Sequence, residues 1–162
     1  MDEQPISMVR RVIAAARQAT LATALARDGS GRPYASLVLV ALAADGGPIL
    51  LLSDLAEHSR NLATEPRAAL LFDGTAGLDD PLAGPRVTVL GEVLAITDGA
   101  AAGALKAAFL ARHPGAAAYA DFTDFRVYRM AVDSAHLVAG FGRIHWLTAA
   151  EIGAAPEAAA KA

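Results

Sequence analysis

At 162 residues, 54% hydrophobic and only 6% aromatic, the chain is long enough for one domain that buries about 70% of the surface of its unfolded form, in a core built mainly from Ala, Val, Leu and Ile. A net charge of −3 excludes a domain that tracks phosphate backbones, because non-specific nucleic-acid affinity comes from neutralising phosphates with Lys and Arg. Cysteine is absent, which excludes disulfides, thiolate nucleophiles and thiolate zinc sites, and predicts a reducing, cytoplasmic setting.

The chain opens MDEQP, without the basic and then apolar stretch of a signal peptide, and no apolar run approaches the roughly 18 residues that cross a bilayer. Residues 5–18 place Ile6, Val9, Val12, Ile13 and Ala16 on one stripe behind Pro5, which predicts an amphipathic helix flanked by Arg10, Arg11 and Arg17. A strand over Leu21–Ala26 then meets the turn signal Asp28-Gly29-Ser30-Gly31 and returns as a hairpin through Pro33–Ala44. That second strand is apolar on both faces, as expected of one covered on both sides. Asp45-Gly46-Gly47 turns the chain into the apolar run Ile49–Leu52.

Ser53 and Asp54 end that run as helix-capping residues, and Glu57 lies three positions after Asp54 in a capping-box spacing. The predicted helix carries His58, Ser59, Arg60 and Asn61 in succession and stops before Glu65-Pro66, since the residue before a proline disfavours helical geometry. Successive helix positions lie about 100° apart, so these side chains cannot share one face. Two readings stay open: a solvated helix face, or an anion site built from the Ser53 and Ser59 hydroxyls, the Asn61 amide and the Arg60 guanidinium. With Asp54 and Glu57 in the first turn, side chains rather than bare amides would bind the anion.

After the strand Ala68–Phe72, residues 73–86 form a Gly- and Pro-rich loop expected to be mobile, and Asp79-Asp80 within it reads as solvated rather than metal-binding. Arg86–Ile96 is a strand in which Gly91 predicts a bulge. Asp98 caps a helix that runs through Leu105, Phe109 and Arg112 and ends at His113-Pro114-Gly115, with His113 favourably placed against the helix dipole. Strands over Phe125–Val132 and His136–Phe141 follow. GFGR lacks the third glycine of a dinucleotide fingerprint and reads as a tight turn or bulge, and Thr148 with Glu151 makes a capping box for a last short helix. In the tail, Glu157 and Lys161 are spaced for a helical pair. The sum is a mainly β protein with peripheral α, of six or seven antiparallel strands in a barrel.

Four segments in this order, LSDLAEHSRNLATEPRAALL, GPRVTVLGE, HPGAAAYADFTDF and GFGRIHWL, resemble the flavin-binding split-barrel superfamily of the pyridoxamine 5′-phosphate oxidases, and within it the HugZ-like haem-utilisation proteins. The resemblance runs from Val9 to Ile152. It implies a split barrel of Greek-key type over residues 1–152, with 153–162 as a flexible tail. It also implies a homodimeric oxidoreductase with flavin mononucleotide (FMN) across the subunit interface, along Ser36, Leu37 and Val38. The phosphate would sit at Ser53, His58, Ser59 and Arg60, beside the Asn61 of the anion reading, and Arg86, Arg143 and Trp146 would come from the partner. The arginine-lysine pair that holds phosphate in the oxidases falls here on His58-Ser59, and the arginine and lysine of their second strand fall on Ser36 and Ala41. The resemblance therefore carries two alternatives: a haem-binding or haem-degrading protein with His145 or His136 as iron ligand, and a non-catalytic interaction module. No general base is nominated, and the expected partners are a second subunit and a small-molecule substrate or electron donor.

Overall fold

The computed structural model describes residues 3–153, so the expected Glu157/Lys161 pair lies outside the described residues. Helix α1 (Pro5–Ala15) starts with its proline in the first turn and buries Met8, Val9, Val12 and Ile13, the stripe that the spacing predicts. Strand β1 (Gln18–Ala24) pairs with β2 (Pro33–Leu39) across a turn in which Gly29 and Gly31 adopt positive φ. The chain continues through Val40 into the two-residue β3 (Ala41–Leu42), then β4 (Pro48–Ser53), α2 (Glu57–Thr64) and β5 (Arg67–Asp73). Strand β6 (Pro85–Ala95), α3 (Gly99–Arg112), β7 (Phe125–Ala139), β8 (Ile144–Thr148) and α4 (Ala149–Ile152) complete it. Among the described residues no helix is long and apolar enough to cross a membrane.

All pairings are antiparallel, in the order β2-β1-β5-β6-β7-β4-β3, with β8 on β7 beside β4. The two ends of that order, β2 and β3, are consecutive in the chain. The sheet therefore curls into a barrel that closes through the single residue Val40, and β2 and β4 diverge from that point without pairing. This is the split. Val40 leaves the ladder, yet its N–H donates to the Arg17 carbonyl at 3.0 Å and its carbonyl lies 2.8 Å from His113 Nε2. His113 at the end of α3 is thus a buried pin for the kink, a more specific role than the dipole contact read from the sequence.

The expected strand Pro33–Ala44 is accordingly two strands, and its outward residues Ala35, Leu37 and Leu39 are exposed rather than covered. Phe125–Val132 and His136–Phe141, read as separate strands, are one strand of 15 residues. Between Leu90 and Gly91 the β6–β7 register slips so that Asp133 has no partner, which places the extra residue of the bulge opposite Gly91 and not on its own strand. A Cβ on Gly91 would collide with the Ala131 carbonyl. Residues 144–148, read as following a tight turn, form β8 after a turn in which Gly140 and Gly142 take positive φ.

The barrel interior packs Leu21, Leu50, Leu70, Phe72, Val87 and Met130 against α1, while a second cluster joins Ile49 and Leu51 to Phe109 of α3. Strand β4 is buried on both faces because it divides these two cores, which is why it reads as an unbroken apolar run. The 73–86 loop is knitted by hydrogen bonds: Asp73 accepts from Thr75, Asp80 from the Leu82 amide, and Arg86 donates to the Leu82 and Gly84 carbonyls.

Candidate functional site

Three elements meet where the barrel splits. Strand β2 brings Ser36, the end of β4 brings Ser53, and the first turn of α2 brings His58. Ser36 Oγ lies 3.0 Å from His58 Nδ1, so the hydroxyl and the imidazole share a proton-bearing contact across the gap between β2 and α2. His58 is half-buried, and that burial pushes its pKa below the ordinary histidine value, favouring the neutral ring. Beside it runs a groove of about 310 Å³ lined by Leu37, Leu39, Leu51, Leu52, Tyr119 and Phe125, with Ser53 and His58 as its polar members. The Tyr119 and Phe125 rings pack at 4.8 Å and form one wall.

Helix α2 does not begin as its sequence predicts. Its N-cap is Ala56, with no side-chain cap. Asp54 instead takes Arg126 Nε at 2.8 and 2.9 Å with its two carboxylate oxygens, and Ser53 Oγ donates to Asp124 at 2.5 Å while accepting from the Leu55 amide. The acid of the first turn is Glu57 alone, and the first-turn amides have no side-chain partner.

The predicted anion residues are distributed unequally. Arg60 points to solvent, with only a 3.9 Å approach to Glu57. Ser59 is buried with a hydroxyl that has no hydrogen-bond partner, and the same is true of Glu57 Oε1. Asn61 is fully buried; its Oδ1 accepts from the Ala26 amide at 2.9 Å and its Nδ2 donates to Thr23 Oγ1 at 3.0 Å, fastening α2 to the end of β1. Leu37 faces outward, and Val38 is buried in the barrel.

The remaining expected residues lie elsewhere in the same chain. Ser53 pairs with Phe125 at one end of β7, and Arg86 pairs with Val138 near the other, some 13 residues or roughly 40 Å away along the strand. Arg143 and Trp146 belong to that far end, and Trp146 stacks on His136 with ring centroids 4.5 Å apart. His145 is exposed beside them. One protomer therefore holds two separate halves of the predicted site. What the sequence does not reveal is the Ser36–His58 partnership and the Asp124 lock on Ser53. Tyr119, Asp124 and Phe125 do fall within one of the motif segments, HPGAAAYADFTDF, which is the signal that could have drawn them in.

Residues 2–152 match the CREG β-barrel family. A chloroplastic heme oxygenase of Arabidopsis thaliana, HOZ, is 32% identical over 136 residues, covering 84% of this chain and 40% of that one. The structure of a heme binding protein from Mycobacterium smegmatis superposes with a TM-score of 0.85 at 35% identity, over 96% of this chain and 62% of the other. The chain thus spans less than two thirds of either relative. A Clostridium acetobutylicum protein of the pyridoxinephosphate oxidase family shares the fold, with a TM-score of 0.70 at 14% identity over 94% of this chain and 99% of the other.

Proposed function

The chain belongs to the CREG β-barrel family and is a split barrel of the pyridoxamine 5′-phosphate oxidase-like, HugZ-like kind, and from that premise we propose that it binds haem in the groove between β2, β4 and α2. The observation that carries this reading is the chemistry of the groove: apolar and aromatic walls around a single imidazole, with no arginine or lysine among the residues that line it. An apolar pocket with few polar groups suits a porphyrin edge better than a phosphorylated ligand. Relatives at 32% and 35% identity named for haem support it.

Haem iron would supply the redox chemistry, and oxidative turnover of the bound haem is the enzymatic activity we propose. The chain's own residues contribute the seat. Leu37, Leu39, Tyr119 and Phe125 would exclude water from the bound ring, and Arg60, exposed on α2 with Glu57 3.9 Å away, could pair with a propionate. A groove of about 310 Å³ covers only part of such a ligand. We further propose that a homodimer completes the site, the far-end residues Arg86, Arg143 and Trp146 arriving from the second copy.

A second reading, an FMN-dependent oxidoreductase, is favoured by one observation: the uncapped first turn of α2 beside Arg60, where amides and a guanidinium could meet a phosphate while the ring lies along Ser36, Leu37 and Val38. Titrating hemin, FMN and riboflavin separately tests both. A Soret band that saturates with hemin, with no change in flavin absorbance or fluorescence, is the expected result. Saturable FMN binding that Arg60→Ala weakens about 10- to 150-fold, with riboflavin unaffected, would replace the haem reading by the flavin one. Binding of none of the three would leave a cofactor-free interaction module.

A further inference from the structure

Resting on the haem reading, we infer that the iron ligand is His58, held by Ser36, rather than either histidine that the sequence nominated. The chain has four histidines, and their surroundings separate them. His113 is buried at the kink with Nε2 on the Val40 carbonyl, so the nitrogen that could reach a ligand is already used. Within one subunit His136, stacked under Trp146 on the outer face of the sheet, and His145, exposed on β8, stand roughly 40 Å along β7 from the groove and would approach it only from the second copy. Of the four, His58 alone lines the groove of its own subunit.

Its geometry is that of a metal-ligating imidazole. Such a ring is usually fixed by a hydrogen bond from the nitrogen that does not touch the metal, which sets both tautomer and orientation. Ser36 Oγ provides that contact at Nδ1, 3.0 Å away, and as a hydroxyl it can accept from Nδ1–H, the tautomer that leaves Nε2 unprotonated. With Nδ1 engaged by Ser36, Nε2 has no hydrogen-bond partner among the described residues and keeps its lone pair for iron. Burial favours the neutral ring, the form a ligand must have. Ser36 is then a positioning residue: it touches the ligand's far nitrogen, not the haem.

The test is spectroscopic and does not depend on turnover. Ferric and ferrous haem complexes of the full chain and of His58→Ala, His58→Gln, Ser36→Ala and the double variant His136→Ala/His145→Ala are compared by Soret position, electron paramagnetic resonance and the iron–histidine stretching band. The wild type is expected to show a histidine-ligated spectrum, and His58→Ala to lose it with haem affinity reduced at least about tenfold, since loss of a ligand should cost no less than loss of an outer-shell partner. Added imidazole should restore the spectrum of His58→Ala, an effect that a folding defect would not give. Ser36→Ala should keep the ligand but lower the stretching frequency, because the ring loses the acceptor that makes it more basic. His58→Gln should match His58→Ala, and the double variant should match the wild type. Histidine ligation that persists in both His58 variants, or vanishes in the double variant, would overturn the assignment of His58 while leaving haem binding intact. A wild type that gives no Soret band with hemin would instead overturn the haem reading itself.

Discussion

At the scale of single residues, the four consecutive side chains His58 to Asn61 show how far sequence reaches. Their polarity was legible, and so was the rule that they must point different ways. Which way was not, because the partners that orient them, Ser36, Thr23 and the Ala26 amide, lie 22 to 38 positions upstream. Asn61, grouped by type with the anion residues, is a buried fastener whose hydrogen bonds are both spent inside the protein. Asn61→Ala would strand the Ala26 amide and the Thr23 hydroxyl, and should cost about 2 to 6 kcal/mol in urea unfolding, at roughly 1–3 kcal/mol for each orphaned group. Arg60→Ala should leave the midpoint unchanged within error. The folded pKa of His58 is depressed, so as pH falls through the ordinary histidine range the unfolded chain takes up its proton first. Ligand-free stability should therefore decline below about pH 6.5 and level off once the folded imidazole is charged too. Replacing His58 by Gln should flatten that part of a pH series of urea midpoints; an unchanged slope would assign it to other groups.

At the scale of elements, periodicity located nearly everything that buries a face. Helix α1, β4, the Asp98-capped α3 and the Thr148/Glu151 capping box all sit where their patterns place them, the last with both reciprocal hydrogen bonds formed. Boundaries failed where a tertiary contact overrides a local pattern. Pro33–Ala44 looks continuous because nothing in its residues announces that Arg17 and His113 will take the backbone groups of Val40. Ser53 and Asp54 look like caps because the sequence does not show that Asp124 and Arg126 will claim them first. Gly91 was read as a bulge, and the reason for its glycine is the reverse side of one: Asp133 is extruded from the facing strand and the Ala131 carbonyl is driven toward Gly91. Gly91→Ala must push two backbones apart in the most extensive strand pair of the sheet. A loss of about 1–3 kcal/mol is expected by the usual cost of overpacking, measurable as a lower thermal midpoint, whereas Gly103→Ala on α3, with open space at its Cβ, should raise stability slightly.

At the scale of the whole molecule, the outer face of the sheet carries a row of direct cross-strand neighbours, Leu37, Thr20, Leu71, Thr88, His136 and Trp146, that crosses six strands from β2 to β8. Leu37 is 68% exposed and Trp146 62%, high values for large apolar side chains, and they mark the two ends of that row. Such a band is what the proposed homodimer would cover. Leu37→Asp should shift the protein to monomer in light scattering at micromolar concentration, and a wild type that is already monomeric there would rule the shared site out. The family fold was legible because it rests on alternation and turns spread along the chain. The proposed site was only half legible because the residues assigned to it lie at opposite ends of β7 and would converge only if a second copy supplied one set. The split has a cost of another kind. Strand β2 is hydrogen-bonded on one side only, to β1, and its other side borders the groove, so a row of backbone donors and acceptors is left without a ladder partner. A free strand edge is a template for any extended segment of another molecule. A ligand seated in the groove, as proposed, would shield that edge, which would otherwise be the place where this protein begins to aggregate.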